Sequence, residues 1–154
     1  MDSLNEAEAR ARLAEPHHCE DVDPDDWKVL DRPKGAFNFE LGLLNAAGRN
    51  AGLFVELVFY RSPETALITV KMSVFQHVKR QPRVLVYQLQ ITTKSYNPEN
   101  WHDVAHEHFG DSRRPVSVWT TWRSFQDVLD YFCRTTNIEF RPPLEDPERL
   151  RLTP

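Results

Sequence analysis

Three of the chain's six histidines fall in one stretch, Trp101-His102-Asp103-Val104-Ala105-His106-Glu107-His108-Phe109-Gly110-Asp111. Imidazole is the side chain best suited to proton transfer near neutral pH and the commonest metal ligand. Three chemistries fit the spacing. In the first, a metal is bound: His102 and His106 at i and i+4 share one face of a helix, though as H-D-x-x-H rather than H-E-x-x-H. His106 and His108 at i and i+2 share one face of a strand, and Asp103, Glu107 or Asp111 adds a carboxylate.

The second chemistry is acid–base. Two histidines serve as general base and general acid in phosphodiester cleavage, while a cation stabilises the phosphorane. Lys94, Arg113 and Arg114 flank the stretch and supply that cation. Tyr96 and Trp101 are placed to stack on bases, as single-stranded RNA recognition uses aromatics. Asp103 or Glu107 can orient an imidazole. In the third reading the histidines belong to an ordinary loop anchored by Trp101 and Phe109. Of the two chemical readings the acid–base one leads, with His106, His108 and His102 as the catalytic candidates. Lys94, Tyr96, Trp101, Arg113 and Arg114 are the substrate contacts, and no metal or other cofactor is expected.

The elements that must position this stretch are strands. Ala36–Leu44 alternates, with Phe37, Phe39, Leu41 and Leu43 on one face and Asn38, Glu40 and Gly42 on the other. That period of two marks a half-buried strand. Leu53–Arg61 follows, apolar on both faces except Glu56, which implies burial on both sides. Ala66–Val78 places Ile68, Val70, Met72 and Val74 together and is long enough to expect a bulge. Arg83–Thr93 groups Leu85, Tyr87, Leu89 and Ile91 against Val84, Val86, Gln88 and Gln90. Short turns between these segments favour an antiparallel meander. Val116–Trp119 is a candidate fifth strand, and Ile138–Phe140 a short pairing segment.

The apolar face of such a sheet needs a cover. Phe125, Val128, Leu129 and Phe132 recur at i, i+3, i+4 and i+7, after Ser124 as a cap and before Asn137 as a stop. The spacing predicts an amphipathic helix over Ser124–Arg134. Residues 1–34 read as a polar arm. A short helix spans about Ser3–Ala14 with a thin apolar stripe, capped by Ser3 with Glu6. An acidic, proline-broken linker follows, in which His17, His18 and Cys19 are expected to be exposed. Trp27, Val29 and Leu30 pin the end of the arm. The fold class is therefore α+β: a four- or five-stranded antiparallel meander with one C-terminal helix and a short N-terminal one. The single domain spans residues 35–144, with a mobile tail at 145–154.

Composition excludes some classes. A chain of 154 residues with 40% hydrophobic content buries its own core, and a net charge of −4 gives no global basic field for nucleic acid. Two cysteines make no disulfide framework, and Cys133 reads as a buried reduced thiol. The N-terminus has no apolar run after a basic start, and no segment reaches the length of a membrane span, so a cytoplasmic protein is expected. G-x-G-x-x-G and P-loop motifs are absent from the sequence.

His106-Glu107-His108, Phe109-Gly110-Asp111 and the closing helix Phe125–Phe132 with Asn137-Ile138 resemble small bacterial proteins of the TumE toxin type and neighbouring families. The resemblance covers roughly Phe54–Leu144. Where the TumE-type pattern has a doubled histidine and a proline before the second imidazole, this chain has Ala105 and Glu107. The resemblance implies a toxin–antitoxin or phage-defence setting with RNA as target. The alternative is a non-enzymatic binding module, such as an antitoxin or adaptor. It would use the N-terminal arm or the exposed sheet face to hold a cognate protein, or a second copy in a homodimer.

Overall fold

The structure is a computed structural model that describes residues 2–93, 105–116 and 123–150. Its elements run β1 (Asp2–Ser3), α1 (Glu6–Ala14), β2 (His17–Cys19), a 3₁₀ turn (Pro24–Asp26), β3 (Trp27–Asp31), β4 (Lys34–Asn45), β5 (Asn50–Arg61), β6 (Ile68–Val78), β7 (Gln81–Thr92), β8 (His106–Phe109), β9 (Ser112–Pro115), α2 (Phe125–Thr136), β10 (Ile138–Phe140) and α3 (Pro147–Leu150). The class is α+β, and the expected β4–β7 meander forms its centre.

Among the described residues the sheet has ten strands rather than four or five: eight in the order β10-β2-β4-β5-β6-β7-β8-β9, with β3 added beside β4 and β1 beside β7. The added strands complete the edges of the meander. The outer side of β4 is taken by β3 near Phe37–Phe39 and by β2 at Leu44–Asn45. The outer side of β7 is shared in the same way, by β1 at Val84–Leu85 and by β8 at Tyr87–Gln90. Open strand edges are sites of unwanted pairing, and here each is capped in two pieces. Two of the pairings, β1 with β7 and β10 with β2, are parallel.

One face of the sheet is closed by the helices. Phe125, Val128, Leu129 and Phe132 of α2 are buried, as their spacing predicts. Phe125 meets Trp27 and Phe59 at ring distances of 5.9 and 6.1 Å, and Phe132 meets Tyr87 at 5.9 Å. Ser124 Oγ accepts the Asp127 amide, and Asn137 ends the helix at φ 59°. Burial of side chains of this size stabilises by roughly 1.5–3 kcal/mol each.

Several boundaries differ from expectation. Residues 2–31 are part of the same sheet and core: Ala9, Leu13, Cys19, Val22 and Trp27 are all buried. Helix α1 starts later, with Asn5 and Glu8 forming the capping box in place of Ser3 and Glu6. Its packing is supplied within the chain, since the Arg10 guanidinium lies 4.0 Å from the centre of the Phe109 ring. His17, His18 and Cys19 are buried in β2 rather than exposed, because β4 and β10 flank them. Trp27 is pinned as expected, while Val29 is 67% exposed.

In β7 a register shift pairs Val74 with Tyr87 but Phe75 with Leu85. The extra residue is Val86, which joins the main core, so Leu85 turns to the other face and clusters with Phe54 and Phe75. The C-terminal stretch expected to be mobile contains α3, tied to the sheet by Arg61 and Glu148 at 2.7 Å. Residues 117–119 of the candidate fifth strand lie outside the described residues. No helix among the described residues is long and apolar enough to cross a membrane.

Candidate functional site

Strand β8 carries the histidines, and its pairing decides what each residue can reach. Alternate strand residues face opposite ways, so Glu107 and Phe109 face the helices while His106 and His108 share the other face, called helix-free because none of the described helices lies on it. The register then draws two polar rows across the helix-free face. One runs Glu56–Ser73–Gln88–His108–Arg113, and the next runs Lys71–Gln90–His106. Residues directly opposite in neighbouring strands are side-chain neighbours, so each row is a continuous strip.

The two imidazoles lie with ring centres 5.2 Å apart at an interplanar angle of 65°. His106 is buried and His108 partly so. Burial lowers the His108 pKa to about 4, with the adjacent His106 and then Arg113 adding to the effect. Near neutral pH the His108 ring is therefore neutral and able to accept a proton. Beside it, Gln88 Nε2 donates to the fully buried Ser73 Oγ at 3.0 Å. Further along, Arg83 bonds Glu56 at 2.8 Å and Glu40 at 3.3 Å, and its guanidinium covers the Phe75 ring at 5.1 Å.

On the other side of the same strand, Glu107 is a carboxylate with only 4% exposure. Its oxygens accept from Tyr131 Oη at 2.7 Å, Tyr87 Oη at 3.2 Å and Arg114 Nε at 3.3 Å. Burial raises both phenol pKa values, and Glu107 beside them adds to that, so each stays protonated and donating. A buried charge is tolerated when its hydrogen bonds are made, and here they tie β8 to β7, β9 and α2.

No protein-family model, curated protein or solved structure matches the chain.

Of the residues expected at the site, the fold brings His106, His108 and Arg113 together. Arg114 falls on the opposite face, where it pairs with Glu107 and lies 4.6 Å from the centre of the Phe109 ring. His102, Lys94, Tyr96 and Trp101 lie outside the described residues. Lys71, Ser73, Gln88 and Gln90 join the site although their strand positions alone do not assign them to it. Their signal is the polar alternation of β6 and β7.

Among the described residues no three His, Cys, Asp or Glu side chains gather as metal ligands. His18 Nε2 instead pairs with Glu20 at 2.8 Å. Burial pushes the Cys19 and Cys133 thiols up to about 12, far from the thiolate a metal or a nucleophilic reaction needs.

Proposed function

We propose that the helix-free face binds single-stranded RNA and that His106 and His108 cleave its backbone, as a toxin-like ribonuclease acting in the cytoplasm. The observation that supports this is the pair of imidazoles 5.2 Å apart, in register with Arg113. His108, neutral, takes the proton of a ribose 2′-hydroxyl. The oxygen attacks the adjacent phosphorus, and His106, protonated, gives its proton to the departing 5′-oxygen. The products are a 2′,3′-cyclic phosphate and a 5′-hydroxyl. A phosphate anion beside the rings favours a protonated imidazole, and Arg113 offsets charge on the phosphorane. Lys71, Gln88 and Gln90 give the strip hydrogen-bonding groups for the backbone on either side. The TumE-type resemblance of His106-Glu107-His108 points to the same target.

The test uses end-labelled single-stranded RNA and a copy with 2′-deoxyribose throughout. The RNA is cut to a cyclic phosphate and the deoxy copy survives. His106→Ala and His108→Ala each slow cleavage by about 10²–10⁴-fold, the usual range for an acid or base, with unchanged circular dichroism. Full activity in both variants, or equal cutting of the deoxy copy, rules the reading out. Collapse of the fold in both assigns the histidines to structure instead.

A further inference from the structure

At the sheet edge far from β8, two hollows of about 620 and 540 Å³ flank Trp27 and share Pro24, Trp27 and Glu145. Together they form one groove. Its floor is apolar: the Trp27 edge, with Pro143 and Leu144 on one side and Phe37 and Leu150 on the other. Val29, the exposed large hydrophobic residue among those described, lies in the same wall. The floor is rigid, since Trp27 Nε1 donates to the Glu145 carbonyl at 3.1 Å and the ring packs on Phe39 at 5.5 Å.

Charge decides what fits. The described lining residues include four carboxylates, Asp23, Asp25, Glu145 and Asp146, against one cation, Arg149. Asp23 and Asp146 already accept backbone amides, while Asp25 and Glu145 stand exposed on the rim. An apolar floor under a predominantly acidic rim selects an extended segment that carries apolar anchors between opposite charges.

We propose that this groove docks a basic peptide segment of a partner protein, with arginine or lysine side chains on the Asp25–Glu145 rim and an apolar side chain against Val29 and Trp27. The site is independent of the histidine face, so either can fail alone.

A labelled peptide of alternating arginine and leucine is the probe, titrated by fluorescence anisotropy against the full chain. A peptide with glutamate for arginine is the comparison. The basic peptide binds saturably, and the acidic one does not. Asp25→Lys with Glu145→Lys weakens binding by about tenfold or more, as loss of rim charges does. Glu64→Lys with Asp111→Lys makes the same change in net charge elsewhere and leaves binding within about twofold, which separates the groove from general attraction. Absence of saturable binding, or equal loss in both double variants, overturns the proposal. So does a dimer that dissociates on Glu145→Lys, since the groove is then filled by a second copy.

Discussion

The two sides of β8 handle polar groups in opposite ways. Toward the helices, Glu107 is enclosed and fixed by two phenols and a guanidinium. Toward the helix-free face, His106 and His108 sit in rows of amide, hydroxyl and cationic side chains drawn from β6, β7 and β9. One residue step along the strand separates an enclosed carboxylate from a pair of imidazoles. The locked side aligns the strand, and the other side can then present its rings at a fixed spacing. A chemical group on this protein is thus held from behind rather than from beside.

The largest test of that division is the helix-side packing. Phe132→Ala should cost about 3–5 kcal/mol in denaturant unfolding, the range for emptying a buried aromatic position. A loss below about 1 kcal/mol would mean that α2 does not close this face. The next concerns the lock itself. Glu107→Ala removes the carboxylate that accepts from the Tyr87 and Tyr131 hydroxyls and should cost about 1–3 kcal/mol. Tyr131→Phe should cost less, and the double variant less than the sum, because the groups share one network. If His106→Ala destabilises as much as Glu107→Ala, both sides of the strand are structural and the contrast is gone.

A further test is in pH. Folded His108 binds its proton near pH 4, while an unfolded imidazole does so near 6.5. Between those values the unfolded chain holds more protons, so acid favours unfolding and stability falls as pH drops from about 6.5 toward 4. His17, also lowered by burial, acts in the same direction. Urea midpoints across that window should decline, and His108→Gln should flatten the decline. An NMR titration of the His108 ring with its midpoint near 6.5 would sink the claim that burial holds it neutral.

The four long strands and α2 were legible because each has a clean period: two in β4, i, i+3, i+4 and i+7 in α2. The strand character of His106-Glu107-His108 was readable as one of two options, and only pairing to β7 chose it. Leu85 was misassigned because a bulge at Val86 breaks alternation without any change in composition. The short edge strands were missed for a related reason. His17-His18-Cys19 is too brief for a period, and its burial comes from β4 and β10, which are remote in sequence. Arg113 and Arg114 look equivalent as neighbours, yet strand geometry sends one to each face. Glu107 was weighed as a partner for the histidines, but its actual partners, Tyr87 and Tyr131, lie in other elements.

The parallel pairing of β2 with β10 joins the beginning of the chain to its end, with Asn137 Nδ2 donating to the Ala14 carbonyl across a separation of 123 residues. During synthesis the hairpins from β4 to β7 can zip as they emerge, because their contacts are local. The far edge of β2 must wait for β10, and the apolar face of Phe39, Leu57 and Tyr87 must wait for α2. A ribosome that stalls just short of Phe125 therefore leaves a nearly complete sheet with the part of its apolar face that α2 covers exposed, the kind of half-made product that chaperones bind and aggregates recruit. Residues 125–140 act as a completion check: until they arrive α2 cannot close its part of the sheet, and once they do β2 and β10 are fastened to each other.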